Sequence, residues 1–322
     1  MHGFFVARRI LFGIVVIASL ASCTGTAEGS ATPAARSGSI SLAAAAPAGR
    51  IVFDRWSGGG TPTGRRMHLL ANPDGSHVVP LLARHPDVEV GQPSPDGSLL
   101  SIVAPNAQGL VVGGTVKMDG SHYRLFANPD PTLNLACTVW SPNGRRLACE
   151  AWDDTKPARS GIYTVRASDG GDLRRLTHER DMPCDYSPDG SRLAYIRISN
   201  DDQTNELWVI EPALPRSIPT GLRHHVTGGC DWSPDGRRIL TESEGALVLV
   251  MADGTTGRFV LDGPGGYATT PHWSPDGSHI VFAMTVRDAD PQFDIYTAAV
   301  DGSGVTRITT SPLYEEAMAW SP

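Results

Sequence analysis

One short segment recurs along this chain at nearly constant intervals, and it limits the possible fold more than any other feature. The copies are Pro93-Ser-Pro-Asp-Gly97, Trp140-Ser-Pro-Asn-Gly144, Tyr186-Ser-Pro-Asp-Gly190, Trp232-Ser-Pro-Asp-Gly236 and Trp273-Ser-Pro-Asp-Gly277, with a truncated Trp320-Ser-Pro322. Their serines stand 47, 46, 46, 41 and 47 residues apart. The chemistry is that of a turn. Proline sets φ near about −65° at the second position, Asp or Asn suits the third, and Gly takes the left-handed conformation of a G1 bulge. The expectation is a three-residue hairpin loop. A β-rich run follows each copy, such as Leu99–Val103, Leu193–Ile196 and Ile280–Ala283. A second strand pair often turns at Asp-Gly, as at Asp169-Gly170, Asp253-Gly254 and Asp301-Gly302; Pro212-Ala-Leu-Pro215 replaces that turn before Trp232. Four strands in each unit of this length describe one blade of a β-propeller. Composition agrees. The 35 glycines and 25 prolines among 322 residues would break helices throughout. With 40 % hydrophobic and 19 % charged residues, the chain is no disordered polymer.

The ends predict how the ring closes. No strand follows Trp320-Ser-Pro322, while Ile51-Val-Phe53 matches Ile280-Val-Phe282. A strand near Ala317–Trp320 is therefore expected as the innermost strand of the blade begun by residues 51–82. The fold class is then all-β: a six-bladed propeller of four-stranded antiparallel blades over residues 50–322, read as a monomer. One unit carries Trp273-Ser-Pro-Asp-Gly277, Ile280-Val-Phe282, Asp294-Ile-Tyr296, Asp301-Gly302 and Arg307-Ile-Thr309. It resembles the TolB-type (WD40-like) propeller repeat. That resemblance implies protein partners and is nearly silent on activity. The α/β domain that precedes the propeller in TolB has no counterpart here.

Residues 1–22 read as an address rather than as fold. Arg8 and Arg9 precede the apolar run Ile10–Leu20, which is too short to span a bilayer but suits a signal peptide. Leu20-Ala21-Ser22-Cys23 then resembles a bacterial lipobox, which implies lipidation of Cys23 and a place outside the cytoplasm. The anchor would sit in the cell membrane, or in the outer membrane of a cell that has two. Residues 23–49 are Ala, Gly, Ser, Thr and Pro with almost no large apolar side chain, and read as a flexible lipidated linker. The net charge is −7, which argues against a nucleic-acid partner.

Four cysteines remain. Outside the cytoplasm disulfides are permitted. If Ser141 and Arg145 flank a three-residue loop, Cys137 and Cys149 stand directly opposite each other, within disulfide range; two packed thiols are the alternative. Cys184 and Cys230 each lie three residues before a motif serine, in neighbouring blades, where they could face each other.

Familiar catalytic motifs fail. Gly59-Gly-Thr-Pro-Thr-Gly64 lacks the Lys-Ser/Thr pair of a phosphate loop, and Met182 stands where a His178-Glu179 zinc motif needs its second histidine. No Gly-x-Ser-x-Gly elbow occurs. No cofactor or metal is implied. The position two before each motif serine holds Gln92, Val139, Asp185, Asp231, His272 and Ala319. Gln92, Asp185, Asp231 and His272 are candidate channel-mouth residues for a cation or polar ligand; they equally suit a solvated channel wall. His178, with Arg180, His224 and His225, lies in loops leading into inner strands and is assigned to the same mouth. The functional expectation is a non-catalytic scaffold binding envelope proteins or a small polar ligand. The alternatives are a propeller enzyme, such as a glycan lyase or hydrolase, and a small-molecule or metal sensor.

Overall fold

The computed structural model describes residues 48–322, apart from 59–63, 86, 200–204, 215, 224–225, 254–257, 262–266 and 286–291. The signal segment, Cys23, the linker, His224 and His225 lie outside the described residues. Six four-stranded antiparallel sheets form the blades. Their innermost strands are β4 (Glu89–Pro93), β8 (Asn134–Trp140), β12 (Asp181–Tyr186), β16 (Val226–Trp232), β20 (Ala268–Trp273) and β24 (Tyr314–Ser321). The last of these pairs with β1 (Arg50–Trp56), followed outward by β2 (Arg66–Ala71) and β3 (Val79–Leu81). We call this blade 1 and number the others in chain order.

The ring closes as the sequence predicts. Ile51 stands opposite Trp320, Val52 opposite Ala319 and Phe53 opposite Ala317. Alternation then buries both faces of β1. Val52 packs with Leu100 and Ile102 of blade 2, whereas Ile51 and Phe53 pack with Val281 and Ile295 of blade 6. All three β1 side chains are fully buried. At roughly 1.5–3 kcal/mol for each large apolar side chain, their burial is comparable to a sizeable share of a domain's net stability of about 5–15 kcal/mol. The clasp is part of the core.

A buried serine organises each turn. The Oγ of Ser94, Ser187, Ser233 and Ser274 donates to the Asp two residues on, at 2.5–2.6 Å. The same oxygen accepts the main-chain N–H five residues on, at 2.9 Å, as in Leu99 to Ser94 and Arg146 to Ser141. The motif glycines take φ between +67° and +71°, open only to a residue without Cβ strain.

This capping makes the loop one residue longer than the turn chemistry predicts. The Ser141 N–H donates to the carbonyl of Arg146, not Arg145, and Trp140 faces Leu147. Pro142–Arg145 is thus a four-residue loop, because the serine hydroxyl reaches across to Arg146. A bulge at Thr138 absorbs the extra residue, so Cys137 still faces Cys149. Those two form a disulfide, with Cα atoms 3.8 Å apart. Register shifts recur in every inner strand near the same place, between Val90 and Pro93, Pro183 and Asp185, Val226 and Cys230, Thr269 and His272, and at Met318 on the seam. Cys184 and Cys230 join blades 4 and 5 by a second disulfide, with Cα atoms 5.2 Å apart.

The two bridges span 46 and 12 residues. Loop-closure entropy then predicts that the double change Cys184→Ser, Cys230→Ser lowers stability by about 4 kcal/mol, against about 3 kcal/mol for Cys137→Ser, Cys149→Ser. Urea titration of both variants under non-reducing conditions checks the order. A larger loss from the 12-residue bridge contradicts it.

Candidate functional site

An innermost strand has one edge without a strand partner, and the bulge re-aims the side chain next to it. In blades 4 and 5 that side chain is a carboxylate, and it replaces the missing partner. Asp185 Oδ2 accepts the main-chain N–H of Trp232 at 2.9 Å, and Asp231 Oδ2 accepts that of Trp273 at 2.7 Å. Each acid therefore clasps its own blade to the next. Indoles add to this. Trp140 Nε1 donates to the Gln92 carbonyl (3.0 Å) and Trp273 Nε1 to the Asp231 carbonyl (3.2 Å).

The four candidates from the position before the turn form one chain. Gln92 reaches past blade 3, whose equivalent side chain is the apolar Val139, and donates Nε2 to Asp185 Oδ1 (3.2 Å) and to the Cys184 carbonyl (3.0 Å). Burial, and then the Asp231 carboxyl bonded to it, push the Asp185 pKa well above the usual carboxylate range. His272 Nδ1 stands 3.7 Å from Asp231 Oδ2, with side-chain exposures of 20 % and 17 %.

His178 does not join this chain. It is exposed and precedes the start of β12, whereas Asp185 is the fifth of its six residues. At about 3.3 Å per residue the two lie at opposite ends of the inner strand, roughly 20 Å apart. Arg180 is exposed at the same end as His178, donating to the Ser199 carbonyl (3.3 Å). Among the described residues, no three His, Cys, Asp or Glu side chains converge as a metal site requires.

No family model matches the sequence. An uncharacterised peptidase of Bacillus subtilis, YuxL, is 30 % identical over 114 residues, covering 33 % of this chain and only 17 % of that protein's length. An uncharacterised protein of Agrobacterium fabrum is 28 % identical over 233 residues, 66 % of this chain and 71 % of that one. TolB of Acinetobacter baumannii superposes with a TM-score of 0.62 at 16 % identity, over 86 % of this chain and 68 % of its own. A protein described as a TolB, from Agrobacterium tumefaciens, gives 0.57 at 19 % identity, over 84 % and 99 %. In fold, this chain is a TolB-like propeller. An oligogalacturonate lyase in complex with manganese shares the architecture, with a TM-score of 0.52 at 16 % identity over 80 % of this chain and 73 % of that one.

The closing blade of this TolB-like propeller holds a second polar cluster that motif reasoning misses. Glu316, Asp54 and His68 stand opposite one another across β24, β1 and β2. His68 Nδ1 lies 2.6 Å from Asp54 Oδ1, and both side chains are 1 % exposed. His68 Nε2 is 3.0 Å from the Val88 carbonyl, which only accepts, so Nε2 carries a proton. The next row is Tyr314, Trp56 and Arg66. Arg66 lies over the Trp56 ring, donates to the Val88 carbonyl (3.0 Å) and stands 3.5 Å from Glu89 and 3.7 Å from Asp54. Three carboxyls thus share one arginine and one histidine. Burial, then Asp54, raise the Glu316 pKa to about 7. Burial likewise raises Glu89 against the pull of Arg66. The sequence marks it only faintly: Asp54 follows the apolar run Ile51–Phe53, and His68 precedes the apolar run Leu69–Ala71.

Glu316 faces Asp54, Glu89, Arg66 and Tyr314. Its folded pKa lies above that of a free glutamate, so the folded state holds the proton more tightly. The stabilisation is complete at pH 4 and is lost as pH rises through about 7. Glu316→Gln, which mimics the protonated acid, is expected to be near neutral at pH 5 and to stabilise the protein by up to about 3 kcal/mol at pH 8. Thermal unfolding of both proteins across this range checks it; a difference independent of pH contradicts it.

Proposed function

We propose that this protein is a non-catalytic scaffold of the cell envelope. In this reading a lipidated Cys23 holds it outside the cytoplasm, residues 24–49 act as a leash, and the propeller binds a protein partner. The state of the channel carries the reading. Asp185 and Asp231 are engaged with the main chain of the next blade and with each other, and Gln92 with Asp185. Such groups brace a rigid ring for presenting loops. The likeness in fold to two TolB structures supports a protein partner. No helix among the described residues is long and apolar enough to cross a membrane, so acyl chains on Cys23 would supply the anchor, more than one being needed for stable attachment. The exposed His178 and Arg180, at the ends of the inner strands remote from the turns, belong to the surface offered to the partner.

A second reading keeps the channel for chemistry. The adjoining carboxyls of Asp185 and Asp231, the partly exposed His272 beside them and the fold likeness to the oligogalacturonate lyase favour acid–base cleavage of a glycan. One experiment separates the two. Cys23→Ser is expected to shift the protein from the membrane to the soluble fraction. Crosslinking in intact cells is expected to return the same partner from wild type and His272→Ala, and to lose it with His178→Ala, Arg180→Ala. A Cys23→Ser protein that stays on the membrane overturns the anchor. Glycan turnover that disappears in His272→Ala, with no partner captured, overturns the scaffold.

A further inference from the structure

The repeat supplies its own control for one change of charge. The third turn position holds Asp96, Asp189, Asp235 and Asp276 in blades 2, 4, 5 and 6, and Asn143 in blade 3. The turn itself does not require the change. Asn143 Oδ1 accepts from the Ser141 hydroxyl (2.9 Å) and the Arg145 N–H (3.0 Å), just as Asp96 accepts from Ser94 and the Ser98 N–H. Blade 3 simply has one anion fewer on the face of the turns. It also has the exposed Arg145 where blades 2, 4 and 6 have Ser98, Ser191 and Ser278.

Four more arginines stand around Arg145. The second hairpin of blade 3 lies against the turn, with the Ala167 N–H donating to the Arg145 carbonyl (2.9 Å). Arg146 and Arg174 share Asp172, at 2.6 Å and 2.7 Å, and Arg166 pairs with Asp169 at 2.8 Å. Arg124 crosses from blade 2 to donate to the Ser168 carbonyl (2.7 Å). Among the described residues, Arg124 and Arg145 form no ion pair. Of the flanking acids, Asp119 and Asp189 face Lys117 and Arg192, and Asp96 lies a blade away, bonded to Ser94 and Ser98. Five guanidinium groups thus meet two carboxylates, in a chain whose net charge is −7. All but Arg146 are exposed.

We propose that the turn face of blade 3 docks on an anionic phospholipid surface. The partner is a bilayer rather than an acidic protein because of where the chain enters the ring. Trp320 Nε1 holds the Ala48 carbonyl (3.1 Å) and Arg50 stands opposite Ser321, so the chain joins β1 from this same face. A tether ahead of residue 48 draws this face toward the membrane. The choice of a bilayer therefore rests on the tethered reading; the arginine patch does not. Each arginine at an anionic surface is worth about fivefold in binding, so an excess of three gives on the order of a hundredfold. Binding of that size orients a tethered domain and leaves an untethered one in the soluble fraction. The opposite face, with His178 and Arg180, is then turned away from the bilayer.

The test is cosedimentation of the full chain carrying Cys23→Ser with vesicles of phosphatidylglycerol and with vesicles of phosphatidylcholine. At about 0.1 M salt a Debye length of about 10 Å screens acids elsewhere on the ring but not a patch in contact. The expected result is binding to phosphatidylglycerol that is stronger by on the order of a hundredfold, with the excess lost at about 1 M salt. It falls about fivefold in Arg145→Gln and further in the double variant Arg145→Gln, Arg174→Gln. Arg84→Gln, an exposed position on the loop between β3 and β4 at the opposite face, leaves it unchanged. Equal binding to the two lipids overturns the proposal, and so does unchanged binding in the double variant. Poly-L-glutamate bound as tightly as the vesicles assigns the patch to an acidic protein and overturns it too. Wild-type protein that carries no lipid at Cys23, with vesicle binding intact, removes the tether and leaves the patch.

Discussion

The hydroxyl of one buried serine in each turn governs the geometry of the wheel. It holds the aspartate two residues on and the N–H five residues on at the same time. That double hold fixes the loop at four residues. A four-residue loop forces the inner strand one step out of the register that its apolar alternation requires. The strand recovers by bulging before it reaches the core. The bulge, in turn, decides which side chain turns toward the channel. Gln92, Asp185, Asp231 and His272 meet near the axis as a consequence of a hydrogen bond made on the rim.

What meets there is first of all structural. A propeller must join sheets that share no strands, and apolar packing between blades gives no fixed register. Main-chain N–H groups capped by the carboxylate of the preceding blade do so. Where that position is apolar, as at Val139, packing takes over: Val139 is buried with Tyr186, Leu193 and Tyr195 of the next blade. An acid that looks like a ligand group in the sequence can therefore be the peg between two wedges. The raised pKa of Asp185 follows from burial and from crowding two such pegs on neighbouring blades.

The number of blades and the closing strand pair were legible because both depend on periodic features: the spacing of Ser-Pro-Asp-Gly and the match of Ile51-Val-Phe53 to Ile280-Val-Phe282. The loop length was not. Turn chemistry reads the backbone preferences of Pro, Asp and Gly, whereas the extra residue is imposed by a side chain reaching across the turn. Cys137 was nonetheless placed opposite Cys149, because the longer loop and the bulge shift the register in opposite directions. His178 was grouped with Asp185 because both lie near an inner strand; position along that strand separates them. Asp54, His68 and Glu316 were invisible to motif reasoning, since they come together only through pairing of strands from the two ends of the chain.

Near-identical repeats make departures from the repeat informative, and these gather between blades 4 and 5. That interface carries the inter-blade disulfide, the carboxylate clasp from Asp185 to the Trp232 N–H and, among the described residues, the one motif indole without an acceptor. Tyr186 replaces the tryptophan in the first of these blades, and the turn after that of the second comes after 41 residues rather than 46 or 47. A ring of equal wedges has no stability reason to treat one joint differently. The covalent bridge there restrains relative motion of the two blades, and it lies beside an indole left without the acceptor that its counterparts have. Fixing this joint covalently also fixes the distance over which the Asp185 carboxylate reaches the Trp232 N–H, so the polar clasp and the bridge hold the same two blades in one register.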